Sequence, residues 1–264
     1  MQYFSKVACV ALCAVLLLNG CTGKDGDPGP AGPAGPSGQN LTGNITGFVN
    51  SVDENGSPLA KAGVLVAVDG VTPAITATSD ADGRFTLSNL RSGTYNLTFT
   101  RQGYSTFRRF GVGHVGGDQP TFLGTVTISQ PSTQAIPIFS AGTPSSANPS
   151  SVPFTLGFTS QSPTTNYRYV LFASASPNPT AASGALLQNG NITINGSPST
   201  TIQLTLLVNR AQFINAGFAP GTTVYVIAYG STTFTAFYVD AATGRTVFPT
   251  LNPQGSSVTT LIVP

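Results

Sequence analysis

An all-β chain built as two β-sandwich domains is what this sequence predicts, and three observations predict it. Short segments alternate apolar and polar residues with a period of two, as half-buried strands do. Turn signals such as Asn55-Gly56 and Asp82-Gly83 punctuate those segments. No long apolar stripe with a 3.6-residue period runs through the chain, so helix content should be small. The 264 residues suffice for two such domains behind an N-terminal arm.

The arm comes first. Lys6 precedes the apolar run Val7 to Leu18, the charged-then-apolar layout of a secretory signal, and residues 1–20 are read as that peptide. The run is too short to span a bilayer, which needs about 20 apolar residues. Leu18-Asn19-Gly20 is followed by Cys21, and this stretch resembles the lipobox of bacterial lipoproteins. Gly20 fits the family; Asn19 is less usual there than Ala or Ser. The resemblance implies cleavage before Cys21, a diacylglyceryl group on its sulfur and, as a rule, a palmitate-type acyl chain on the new amine. Two or more chains give stable anchoring, at about 0.8 kcal/mol per buried CH₂. Ordinary secretion, with Cys21 removed or free, is the alternative. Cys9 and Cys13 fall in the cleaved segment, leaving Cys21 as the sole mature cysteine. Disulfides and cysteine zinc sites are therefore excluded for the mature chain. Lys24-Asp25-Gly26-Asp27 partly resembles the surface-export signal of Bacteroidetes-type lipoproteins, although Gly26 interrupts the acidic pair. The expected location is the outer membrane, lipid-anchored and facing the cell exterior.

Glycine recurs at 23, 26, 29, 32, 35 and 38, giving triplets GKD-GDP-GPA-GPA-GPS-GQN. Strict G-X-Y spacing with proline is the collagen signature. Only Pro28 occupies a Y place, so a triple helix this short would be marginal alone and would need domains that trimerise. A single polyproline-II spacer reaching about 55 Å is the simpler reading. Residues 21–42 thus hold the domains away from the membrane, in a monomer or a collagen-like trimer.

Charged residues are only 8% of the chain, eleven Lys and Arg against nine Asp and Glu. No basic stripe appears, so nucleic acid is not an expected partner. From Gln134 onward the charges are Arg168, Arg210, Asp240 and Arg245, and Ser, Thr, Asn and Gly replace the others.

The first domain is assigned to residues 43–130. Ile45, Gly47 and Val49 share one face of a first strand. Asp53-Glu54-Asn55-Gly56 is a turn. Val64, Val66 and Val68 form a second strand, central because Leu65 and Ala67 are also apolar. Ile75 to Thr78 is a third. Asp80-Ala81-Asp82-Gly83 turns into a fourth, marked by Phe85 and Leu87. Tyr95, Leu97 and Phe99 alternate in a fifth. Thr106 to Val112 and Thr121 to Ile128 complete about seven strands, which at this spacing suggest a sandwich. The order Gly47…Gly56-Ser57-Pro58-Leu59…Gly63-Val64-Leu65-Val66, then Thr78-Ser79-Asp80-Ala81-Asp82-Gly83-Arg84-Phe85, then Leu90…Gly93-Thr94-Tyr95-Asn96-Leu97…Gly103-Tyr104, resembles the carboxypeptidase regulatory-like domain. That resemblance implies a transthyretin-like (prealbumin-type) sandwich and an accessory, non-catalytic module. It also implies membership of a wider group of carbohydrate-binding-like folds. Tyr104, Phe107 and Phe110 beside Arg101, Arg108 and Arg109 are the candidate ligand patch. The alternative is that Phe107 and Phe110 pack inward and the arginines are solvated. Asp80-Ala81-Asp82-Gly83 lacks the further oxygen ligands and distal glutamate of an EF-hand loop, and turn chemistry accounts for it.

Residues 131–153 read as a linker plus a first strand at Ile136 to Phe139. The second domain, 154–264, follows. Phe154, Leu156 and Phe158 alternate; Tyr167 to Ser174 is a long strand; Ile202, Leu204 and Leu206 form another. Val224 to Tyr229, Thr233 to Val239 and Val258 to Val263 close the set. Asn189-Gly190 and Asn195-Gly196 mark tight turns around Ile192 to Ile194. Val208 to Phe218 holds a short helix. Phe218-Ala219-Pro220-Gly221-Thr222-Thr223-Val224-Tyr225-Val226-Ile227-Ala228-Tyr229 resembles the sixth-strand region of fibronectin type III domains, which implies an Ig/fibronectin III-like sandwich; the early tryptophan of that family is missing.

No residue set supports catalysis, and an enzyme of unrecognised type using His114 stands third, behind a structural or adhesive surface protein and a carbohydrate-binding module. His114, the only histidine, sits in Gly111 to Gly117, read as a flexible glycine loop. A Ser-His-Asp triad needs a positioned serine and an orienting acid, and no Gly-x-Ser-x-Gly pattern is present. One histidine leaves no catalytic zinc site, and the acids fall mostly in turns. No metal or cofactor is expected. The expected partners are a membrane, through the lipid, and a glycan, a matrix protein or an outer-membrane protein.

Overall fold

The computed structural model describes residues 41–159, 164–195, 199–233 and 236–264. The signal peptide, Cys21 and the glycine triplets lie outside the described residues. Residues 40–264 make one compact unit, all β apart from one short helix among the described residues.

The first lobe holds β1 (Thr42–Val52), β2 (Pro58–Leu59), β3 (Leu65–Val68), β4 (Thr76–Thr78), β5 (Arg84–Arg91), β6 (Gly93–Thr100), β7 (Phe107–His114) and β8 (Thr121–Ser129). One sheet has β1 at its centre, antiparallel to β2 and β5 and parallel to β8. The other runs β4-β3-β6-β7. Ile45, Val49, Phe85 and Leu87 of the first sheet meet Val64, Val66, Leu97 and Phe99 of the second in one core. Phe85 and Phe99 touch edge to face, 5.8 Å apart, a geometry worth about 0.5–1.5 kcal/mol beyond area burial. The central place of β3 matches the sequence reading, but its two faces are not alike: Leu65 points outward and is exposed.

The two turns are built alike. Asp53 Oδ1 accepts from the amides of Asn55 and Ser57 at 2.9 and 2.8 Å. Asp80 Oδ1 accepts from the amides of Asp82 and Arg84 at 3.0 and 2.8 Å. Each aspartate satisfies the backbone of its own turn.

The second lobe holds β9 (Ile138–Ala141), β10 (Ser151–Thr159), β11 (Thr164–Ser174), β12 (Ala185–Asn195), β13 (Thr201–Asn209), α1 (Arg210–Asn215), β14 (Thr223–Ser231), β15 (Tyr238–Val239), β16 (Thr246–Val247) and β17 (Thr259–Ile262). Its sheets run β13-β10-β9 and β12-β11-β14-β17, with β15 and β16 as a separate hairpin. Phe154, Leu156, Phe158, Tyr167, Leu171, Val224 and Val226 form the core between them, joined by Phe213 of α1. Asn209 caps the helix: its Oδ1 accepts from the Gln212 amide at 3.1 Å, and Gln212 Oε1 accepts from the Asn209 amide at 2.9 Å.

Several sequence expectations change here. The strand expected at Ile136 begins at Ile138, and β10 begins at Ser151, inside the segment read as linker. Asn189-Gly190 is no turn. It lies mid-strand in β12, where Gly190 faces Tyr169 across the ladder. A Cβ there would come within 2.6 Å of the Tyr169 hydroxyl oxygen, so glycine serves a close approach. Ile192 to Ile194 is accordingly part of one long strand. Of the strand expected from Thr233 to Val239, residues 234 and 235 lie outside the described residues, and among the described ones the strand is Tyr238–Val239.

Candidate functional site

The six residues of the expected ligand patch are not one open face. Arg101 lies over the Tyr104 ring at 4.7 Å, and its guanidinium donates to the carbonyl of Ala60. Phe107, Arg108 and Phe110 of β7 form a separate group, and the second lobe covers it. The Tyr238 ring of β15 meets Phe107 at 5.5 Å and Phe110 at 5.9 Å between centroids. Arg108 stacks over Phe110 at 4.6 Å. It also donates to Asp69 Oδ2 at 2.8 Å and to Asp240 Oδ2 at 3.4 Å. Arg109 is exposed. This cluster therefore clasps the lobes together.

The electrostatics follow. The hydrogen bond to Asp69 holds the Arg108 pKa above its ordinary value against the opposing effect of burial. Burial pushes Asp240 up, but bonds from the amide and hydroxyl of Thr243, the Ala242 amide and the charge of Arg108 outweigh it, and Asp240 sits below the usual carboxylate range. Burial raises Tyr238.

A second tie lies at the Asp53–Gly56 turn, which sequence alone reads as an ordinary loop. Glu54 accepts from the Thr133 amide at 2.7 Å and the Thr133 hydroxyl at 2.6 Å. Its carbonyl accepts from the Thr233 amide at 3.3 Å. Charge-assisted bonds of this kind are the shorter and stronger ones.

His114 is not in a flexible loop. It ends β7, 3% exposed, with Nδ1 2.8 Å from Thr121 Oγ1 and Nε2 3.2 Å from the Leu90 carbonyl oxygen. Both ring nitrogens are occupied in bracing β7 against β8 and β5. Among the described residues no three His, Cys, Asp or Glu side chains are grouped to hold a metal, and no helix is long and apolar enough to cross a membrane.

The arrangement with free recognition chemistry lies on the outer face of β5, β1 and β8. There the register sets Thr86, Thr46 and Phe122 in one row and Arg84, Phe48 and Thr125 in the next. Phe48 and Phe122 meet edge to face at 6.1 Å, and Arg84 lies over Phe48 at 5.7 Å. Phe122 is 64% exposed. These rings bound a concavity of about 250 Å³ with Pro120 at its rim. Phe48 follows from the alternation of β1, whose inward residues are Ile45, Gly47 and Val49. Phe122 does not follow from alternation with Val126 and Ile128. An extra residue in β8 breaks the register between Phe122 and Thr125, with Gly124 at φ 85°, and this bulge turns the ring outward.

What this chain is similar to fits its class, a two-lobed β-sandwich protein. Residues 44–136 match the carboxypeptidase regulatory-like domain family, which bears out the transthyretin-like reading of the first lobe. No curated protein matches the chain. Among solved structures, a protein of proposed carbohydrate-binding function from Bacteroides uniformis is 15% identical, covering 83% of this chain and 98% of its own, with a TM-score of 0.28. A DUF3823 family protein from Bacteroides ovatus is 8% identical, covering 82% and 98%, at 0.24. A type II cohesin–X-dockerin complex from Acetivibrio cellulolyticus is 21% identical over 34% of this chain, at 0.28, and the match spans 58% of the length of that chain. Scores this low fix neither fold nor function.

Proposed function

We propose that the chain is a lipid-anchored, non-catalytic protein of the outer cell surface with a structural, adhesive or assembly role. The observation that carries this reading is the order of its parts: the lipobox-like Leu18 to Cys21, the glycine triplets from Gly23 to Gly38, then the two-lobed β body. Lipid on Cys21 fixes the chain in the membrane, and the triplets act as a spacer or, if the bodies associate, as a collagen-like trimer. The second lobe is a fibronectin type III-like sandwich. In its favour, β14, the sixth strand of that lobe in chain order, lies beside β11 and β17 in the four-stranded sheet. A rigid body suits a load-bearing role, and the ties at Glu54 and Asp240 support that. Replacing Cys21 with Ser should move the protein from the carbonate-washed membrane fraction to the soluble fraction. A variant that stays with the membrane overturns the anchor.

A second reading is a carbohydrate-binding module. The exposed ring of Phe122 and the half-buried ring of Phe48 beside it, together on one outward sheet face, favour it.

A further inference from the structure

The outward face of β5, β1 and β8 combines a bare aromatic ring, a cation and hydroxyls in one shallow concavity. Exposed apolar residues scattered singly need no explanation, but a grouped, bounded set marks a binding surface. Three features define what would fit. First, β1 is interior to its sheet, paired with β5 on one side and β8 on the other along the stretch that carries Phe48. Its backbone groups are spent in the ladders, so only side chains face the ligand. That disfavours an extended peptide, which docks through main-chain hydrogen bonds at a free edge. Second, the concavity of about 250 Å³ falls just below the roughly 300–1,000 Å³ of drug-sized sites. It suits one small ring rather than a protein patch, which buries about 800 Å² per partner. Third, Arg84 makes no ion pair among the described residues; Arg108 makes both of those found there. Its planar guanidinium matches a carboxylate bidentately.

We infer that this face, formed by Phe122, Phe48 and Arg84 with Thr46 and Thr86, binds an acidic polysaccharide through a uronate residue. The apolar C–H face of the sugar stacks on the Phe122 ring. The sugar carboxylate pairs with Arg84, and the hydroxyls of Thr46 and Thr86, which oppose one another across β1 and β5, meet the ring hydroxyls. The Arg84–Phe48 stack holds the guanidinium over its strand neighbour. This rests on the carbohydrate-binding reading and adds the charge of the ligand and the place where it binds.

The test is affinity electrophoresis of the full chain in gels carrying polygalacturonate or hyaluronate, each as the free acid and as its methyl ester. The free acid of at least one should retard the chain, and the ester should do so at least tenfold more weakly. Phe122→Ala should abolish retardation. Arg84→Gln should erase the preference for acid over ester, and Tyr104→Ala, in the separate Arg101 pair, should leave it unchanged. Circular dichroism of each variant checks that the strands persist. Equal retardation by acid and ester that still depends on Phe122 overturns the uronate inference and leaves carbohydrate binding standing. No retardation by either acid, or retardation that survives Phe122→Ala, overturns the site itself. Release of Cys21→Ser from membranes is read independently of all these outcomes.

Discussion

Two sheet faces of this molecule carry outward aromatic rings, and they are treated in opposite ways. In the second lobe, Val170 and Phe172 of β11 and Ile227 and Tyr229 of β14 point away from the main core. The chain between β14 and β17 folds back and covers them with Phe248 and Leu251. Phe172 meets Phe248 at 6.3 Å and Tyr229 at 5.9 Å between centroids, both edge to face. In the first lobe, Phe48 and Phe122 point outward from a sheet that is bulged at Gly124, and nothing among the described residues covers Phe122. The difference separates a face that the chain uses for its own stability from one that it leaves open to a partner. Apolar area removed from water stabilises by about 25 cal/mol per Å². A ring left in water contributes little of that, and it is the grouping of Phe122 with Phe48 and Arg84 around one concavity that marks this face for an external role.

This contrast breaks most readily at the covered face. Phe172 is 1% exposed, and Phe172→Ala should cost about 3–5 kcal/mol in urea unfolding, the usual range for a buried phenylalanine cut to alanine. A loss under about 1 kcal/mol would mean that Phe248 and Leu251 do not pack as a third layer. At the open face, Phe122→Ala should change stability by no more than about 0.5 kcal/mol, as surface substitutions do. A loss of several kcal/mol there would make Phe122 a structural residue and remove the contrast.

Sequence alone reads well where local order and tertiary order agree. The alternation of β1 from Ile45 to Ser51, of β5 from Arg84 to Leu87 and of β6 from Asn96 to Thr100 is unbroken, so their inward residues were legible and the first lobe followed. Legibility fails where one residue serves a neighbour distant in sequence. Gly190 looks like a turn glycine after Asn189, yet it makes room for Tyr169 on the paired strand. His114 looks mobile among its glycines, yet Leu90 and Thr121 hold it at the end of a strand. The patch around Phe107 looked open because Tyr238, which covers it, lies more than a hundred residues further along. Phe122 was hidden by the bulge at Gly124, which no period-two count anticipates. Outward Phe48 was the one available signal for the open face, since alternation with buried Ile45 and Val49 already gives its direction.

The smallest expected effect concerns the clasp that separates the open face from the covered one. Asp240 is held below the ordinary carboxylate range in the folded chain. A carboxylate depressed in this way adds stability that is fully present above its unfolded pKa of about 3.9 and is lost as pH falls through the lower folded value. Arg108 stays charged throughout, so the Arg108–Asp240 pair weakens only when Asp240 takes up a proton. Asp240→Asn keeps an oxygen to accept from Thr243 and Ala242 and replaces the charged Oδ2 facing Arg108 with an uncharged NH₂. Wild type should therefore be slightly the more stable at pH 7, and the gap should close as the pH is lowered below about 4. Urea midpoints of the two chains measured between pH 7 and pH 2.5 read this directly. A gap that stays constant across that range would place the contribution of Asp240 in its turn rather than in its charge, and the clasp would then rest on the Tyr238 ring alone.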